Sequence, residues 1–173
     1  MERGVEFLKR QVNNAVAQHR AFLRALEDHE GQAEDIRFRD LCARHIPKMR
    51  EHQRMLENYQ LTLGGDNEGV VKRAAGLALG VARDLADVVR EDDFLRLVGD
   101  IVMARQGEDT FKTFREAGRA LGIQELAHIG ETGERGHDEY VKEANRLVQQ
   151  IFIEHVRGAE GGLPTVDQPV TGR

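Results

Sequence analysis

Apolar residues recur every three or four positions along four long stretches of this chain, and that period commits the stretches to amphipathic helices. The last and longest, from about Gln124 to Val156, carries Leu126, Ile129, Tyr140, Val141, Ala144, Leu147, Val148 and Ile151 on one stripe. The first runs from about Glu2 to Glu30 with Phe7, Leu8, Val12, Ala15, Val16, Phe22, Leu23 and Leu26 facing one way. The second, about Glu34 to Tyr59, turns Phe38, Leu41, Cys42, Ile46, Met49, Leu56 and Tyr59 inward. A further helix over about 93–120 does the same with Phe94, Leu97, Val98, Ile101, Phe111 and Phe114. Strand-favouring clusters are scarce and Ala, Leu, Glu, Arg and Gln are common, so the fold is expected to be all-α.

Punctuation residues set the connections. Gly64-Gly65-Asp66-Asn67 breaks the pattern after the second helix, Asp92 and Asp93 can cap the fourth, and Gly122 can stop it. Between the two hairpins, about 68–90, lies a helix rich in Ala, Val and Gly, with Gly76 and Gly80 four residues apart, a spacing that permits close packing. Short turns make helices one and two antiparallel, and likewise four and five. At 1.5 Å per residue a crossover of this length returns the chain by about 35 Å. One domain over 1–157 is expected, followed by a disordered tail over 158–173 whose composition is Gly, Pro and Thr with few large apolar residues.

Charge and cysteine content narrow the function classes. The net charge of -5 comes from interspersed acids and bases, with no basic patch or tail, so nucleic acid is not expected as a partner. Cys42 is the single cysteine, which excludes an intramolecular disulfide and thiolate-built zinc sites. No signal-peptide core opens the chain and no apolar run reaches membrane-spanning length, so a cytoplasmic, non-membrane protein is expected. Phosphate loops, nucleophile elbows and dinucleotide fingerprints are missing.

The chemistry-bearing positions are polar residues that interrupt the apolar stripes. Glu134-Arg135-Gly136-His137 is an E-x-x-H whose two ends project from one helix face, beside glycines at 130, 133 and 136. Three glycines in one helix cost on the order of 1 kcal/mol each against alanine, which calls for a packing or functional reason: close approach of a neighbour, or space beside ligands. His52 holds the corresponding place in the second helix, with His45 two turns before it on the same face and Met49 where the motif glutamate would stand. His19 interrupts the first helix and Glu108 the fourth, the latter alternatively as a partner of Arg105 or Arg115. Glu27-Asp28-His29-Glu30 reads as a solvated helix end. Buried ionisable groups are costly unless paired or bound to metal. The candidate ligands are therefore His19, His52, Glu108, Glu134 and His137.

With these residues the chain resembles the ferritin-like superfamily of four-helix carboxylate proteins. The resemblance implies two antiparallel hairpins joined by an additional crossover helix, with glutamates on two helices and E-x-x-H on the other two. Glu108, Glu134, His137 and His52 match that pattern. His19 and Met49 stand where it has glutamates, so a mixed His/Glu set suited to one transition-metal ion (iron, zinc or manganese) is expected rather than a di-iron oxidase. Tyr140, one turn past His137, is a candidate hydrogen-bond donor to the site. A stress or metal-handling role and a homodimer are what the resemblance implies. The alternative is a metal-free bundle whose inward polar groups fix helix register while its surface serves a structural or protein-interaction role, with an unknown protein partner.

Overall fold

The computed structural model describes residues 3–64 and 92–158. Over them the chain is all-helical: α1 (Gly4–Gln32), α2 (Ile36–Thr62), α3 (Asp93–Leu121) and α4 (Gln124–Gly158). The expected crossover helix at about 68–90 and the expected tail lie outside the described residues, apart from Gly158, which ends α4.

Local chemistry sets the helix ends where the sequence marks them. Asp35 caps α2 by accepting from the Arg37 backbone N–H at 2.8 Å, and Asp92 caps α3 by accepting from that of Phe94 at 2.7 Å. Asp93 does something else: its Oδ2 accepts the Asp35 backbone N–H at 2.7 Å and so ties the start of α3 to the start of α2. Gly122, with φ of 70°, ends α3 in the left-handed region, and the Ile123 N–H reaches back to the Gly118 carbonyl at 2.8 Å.

Helices α1 and α2 pack as one hairpin and α3 and α4 as another, with α2 lying on α4 and α1 on α3. The contacts fix the directions. The Asp35–Asp93 link puts the starts of α2 and α3 at one end of the bundle, where the Arg37–Glu154 ion pair at 2.7 Å also brings the end of α4. Helices α2 and α3 therefore run parallel, each antiparallel to its hairpin partner. The end of α2 and the start of α3 lie at opposite ends of the bundle.

Among the described residues two apolar clusters fill the interior. One, toward the starts of α2 and α3, includes Phe22, Leu26, Phe38, Leu41, Met49, Leu97 and Tyr140. The other, toward the opposite end, includes Val12, Val16, Leu56, Tyr59, Phe111, Phe114 and Leu126. Phe7, expected to face inward, is instead 51% exposed one turn into α1, where the neighbouring helices no longer cover it. Between the two clusters lies a polar layer.

Candidate metal centre

Four helices meet in that layer, and three of them supply a histidine. His19 follows Val16 and precedes Phe22 on the buried side of α1, His52 lies between Met49 and Leu56 on α2, and His137 precedes Tyr140 on α4. Their exposures are 5%, 2% and 0%. One ring nitrogen from each falls within 4.8 Å of the others, so the three side chains could hold a metal ion.

Helix α3 contributes room. A Cβ on Gly107 would lie 2.6 Å from His137 Cδ2 and 2.7 Å from its Nε2, so only glycine leaves space for this imidazole. The α4 glycines, flagged in the sequence as a cost needing a reason, serve three separate contacts. At Gly130 a Cβ would stand 2.2 Å from the Arg115 backbone nitrogen, at Gly133 2.3 Å from the Phe111 ring, and at Gly136 2.2 Å from His52 Cε1. The close helix approach offered from the sequence is found at Gly130, and at Gly136 the missing Cβ makes room for the His52 ring. Phe22 and Phe111 close the pocket, their ring centroids 5.5 Å and 5.0 Å from that of His137.

Hydrogen bonds fix two of the three tautomers. His137 Nδ1 lies 2.9 Å from the Gly133 carbonyl oxygen, which can only accept, so Nδ1 carries the proton and Nε2 a bare lone pair. His19 Nδ1 lies 2.9 Å from Gln53 Oε1. The Gln53 amide is oriented by donating to Glu57 Oε1 at 2.7 Å and to the Val16 carbonyl at 3.4 Å, so its oxygen faces His19 and accepts. His19 Nε2 is then bare as well. Among the described residues neither Nε2 has a hydrogen-bond partner, nor does His52 Nδ1. His52, as a neutral imidazole, offers a single N–H, too few to satisfy two bare lone pairs by itself.

Burial keeps the imidazoles neutral. It pushes His19 down to about 4 against a smaller opposing effect of the Gln53 hydrogen bond, and pushes His52 down to about 3, helped by repulsion from a protonated His19 and from the cations Lys48 and Arg135. His137 is held well below 6.5, again chiefly by burial. Neutral imidazole is the metal-binding form. If the three nitrogens stood at 4.8 Å edges, the triangle's centre would lie about 2.8 Å from each, and zinc–imidazole bonds of roughly 2.0–2.1 Å need about 0.7 Å of closure per ring.

The structure thus brings together three of the five expected ligands. Glu134 instead forms an ion pair with Arg115 of α3, and Glu108 one with Arg105 at 3.0 Å on its own helix. For Glu108 the reason is phase: the buried stripe of α3 runs through Leu97, Asp100, Ala104 and Phe111, and Glu108 sits beside it. His45 lies 3.3 Å from Glu143, with its ring edge on Tyr140, and Met49 is fully buried in the apolar cluster.

Sequence reasoning missed a second polar group. Asp100 is fully buried, and its Oδ2 lies 2.8 Å from His29 Nδ1 and 3.3 Å from the Tyr140 hydroxyl, which donates to it. Burial pushes the Asp100 carboxyl up. The expectation that His29 belongs to a solvated helix end is therefore corrected: it turns back to cover Asp100. Tyr140, expected to serve the histidine layer, has its hydroxyl on Asp100. Gln53 and Gly107 also went unnoticed, although Gly107 falls in phase between Ala104 and Phe111.

Comparison with protein-family models, with curated proteins and with solved structures finds no match to this chain. No helix among the described residues is long and apolar enough to cross a membrane.

Proposed function

We propose that this chain is a metal-binding helical bundle that holds one transition-metal ion between His19, His52 and His137. The observation that carries the reading is the convergence of three buried, neutral imidazoles from three helices, with lone pairs the protein leaves unmatched. Nδ1–H donation to an oxygen fixes two of the rings in orientation, as is usual for metal-ligating histidines. Three nitrogen donors without thiolate or carboxylate suit zinc, copper, iron or nickel, and suit manganese and magnesium poorly. Zinc with three histidines and one open position is the first choice. Antiparallel hairpins with α2 and α3 parallel support the ferritin-like reading of the bundle, and with it a metal-handling role.

Metal-dependent stability tests this. Added zinc at about a hundred times its Kd stabilises the fold by roughly 2.7 kcal/mol if the ion binds only the folded chain. Urea unfolding of the wild type should show this gain, chelator should reverse it, and His137→Ala should abolish it. Equal stability in zinc and in chelator would overturn the proposal. One observation favours a second reading, a metal-free register-setting layer. A single water donating to His19 Nε2 and His137 Nε2 while accepting from His52 closes the same hydrogen-bond count. Indifference to zinc selects it.

A further inference from the structure

The charge around the histidine layer says what must accompany a metal there. All three donors are imidazoles from the buried cluster, kept neutral by that burial. The groups that orient them are neutral too: the Gln53 amide oxygen behind His19 and the Gly133 carbonyl behind His137. A metal-ligating histidine often rests on a carboxylate at this position, which spreads negative charge toward the ion. Here a carboxylate, Glu57, stands behind the Gln53 amide instead of on the imidazole, and is already paired with Arg20 at 2.7 Å.

On the other side the charges that bear on His52 are cations. Lys48 lies one turn before it on α2, with its Cδ 3.1 Å from where a Gly136 Cβ would be, and Arg135 adjoins Gly136 on α4. Lys48 is paired with Glu139. Arg135 is exposed, and no ion pair or hydrogen bond is found for it among the described residues. The carboxylates near His137 in sequence are likewise taken: Glu134 by Arg115, and Asp138 by Lys142 at 2.6 Å. A divalent ion among these three ligands would keep its full charge in a pocket walled by Phe22 and Phe111, and an uncompensated buried charge is strongly unfavourable.

Resting on the metal reading above, we infer that the fourth coordination position is an anion site: the bundle binds its metal together with a small monovalent anion, hydroxide or an exogenous ion of that size. A metal ion lowers the pKa of its bound water, and surroundings whose carboxylates are already engaged (Glu57 by Arg20, Glu134 by Arg115, Glu139 by Lys48, Asp100 by His29 and Tyr140) favour the anionic ligand further. The site is then one for a metal–anion pair, with Arg135 adding to the attraction from the surface.

Cobalt(II)-loaded protein titrated with azide tests the inference, because the visible spectrum of cobalt reports its ligands. Azide across the millimolar range should change the spectrum saturably. The paired substitution Gln53→Glu with Glu57→Gln brings a carboxylate up behind His19 at unchanged net charge, and the two side chains can keep their mutual hydrogen bond. It should retain cobalt and weaken azide binding by about tenfold or more. Arg135→Glu, at an exposed position that does not threaten folding, should weaken azide in the same direction and less. A cobalt spectrum indifferent to azide overturns the inference and leaves the metal reading standing. So does equal azide affinity in the parent and in whichever of the two variants folds. Failure of the wild type to bind cobalt at all removes the metal reading, and this inference with it.

Discussion

His19, His52 and His137 are three bases held neutral by burial, and that has a consequence for acid stability. In the unfolded chain each titrates near 6.5, while in the fold His19 lies at about 4, His52 at about 3, and His137 well below its ordinary value. Between these values the unfolded state binds more protons, so stability is full above about 6.5 and falls as pH drops toward the folded values. Each histidine contributes a slope of up to roughly 1.4 kcal/mol per pH unit in that window. Melting temperature measured from pH 7 to pH 4.5 in chelator should fall steeply, and His52→Phe should flatten the curve. A flat wild-type profile over that range would contradict the burial of neutral imidazoles. At this scale the sequence was readable where a histidine broke a strong apolar stripe, as at positions 19 and 137. It misled where the carboxylate's partner lay on another helix: nothing local to Glu134 announces Arg115. Gln53 could not be found either, because its role depends on Glu57 and Val16 turning its amide toward His19.

The element that shapes the centre is the tight pairing of α3 with α4 through glycines. Gly118, Gly130 and Gly133 each sit where a Cβ would come within 2.3 Å of the opposing helix, whereas a Cβ at Gly99 on α3 would meet nothing within 4 Å among the described residues. The two situations call for opposite outcomes from the same substitution. Gly99→Ala should raise stability by up to about 1 kcal/mol through helix propensity alone. Gly130→Ala meets the Arg115 backbone at 2.2 Å, which cannot rotate away, and should cost on the order of 1–3 kcal/mol or more as overpacking does. Urea unfolding of both variants checks the contrast, and a stabilised Gly130→Ala would contradict the packing described. The existence and ends of the four helices were legible because caps and periodicity agree, as at Asp92 and Gly122. The phase of α3 was not. Its inner stripe carries Asp100, Ala104 and Gly107 through the middle, so the partly buried Ile101 next door gave the stronger apolar signal and pointed to Glu108.

Across the described residues, two apolar clusters are separated by a polar layer to which three helices give histidines and the fourth gives a glycine. An ion bound there would tie α1, α2 and α4 together at mid-height, and metal content and global stability would then be one property. The parallel run of α2 and α3 was deducible from connection lengths, and the Asp35–Asp93 contact now carries it. The E-x-x-H drew attention to one member of the buried cluster, His137, although the three converging nitrogens come from three different helices. The most direct test is elemental analysis by mass spectrometry of tag-free, gel-filtered protein, before and after reconstitution with zinc, iron or copper. The account expects about one equivalent of a single imidazole-preferring metal per chain, with zinc foremost, and its loss in His52→Ala and His137→Ala. Less than about a tenth of an equivalent in the reconstituted wild type would contradict it, since an assembled three-histidine site binds zinc tightly at neutral pH.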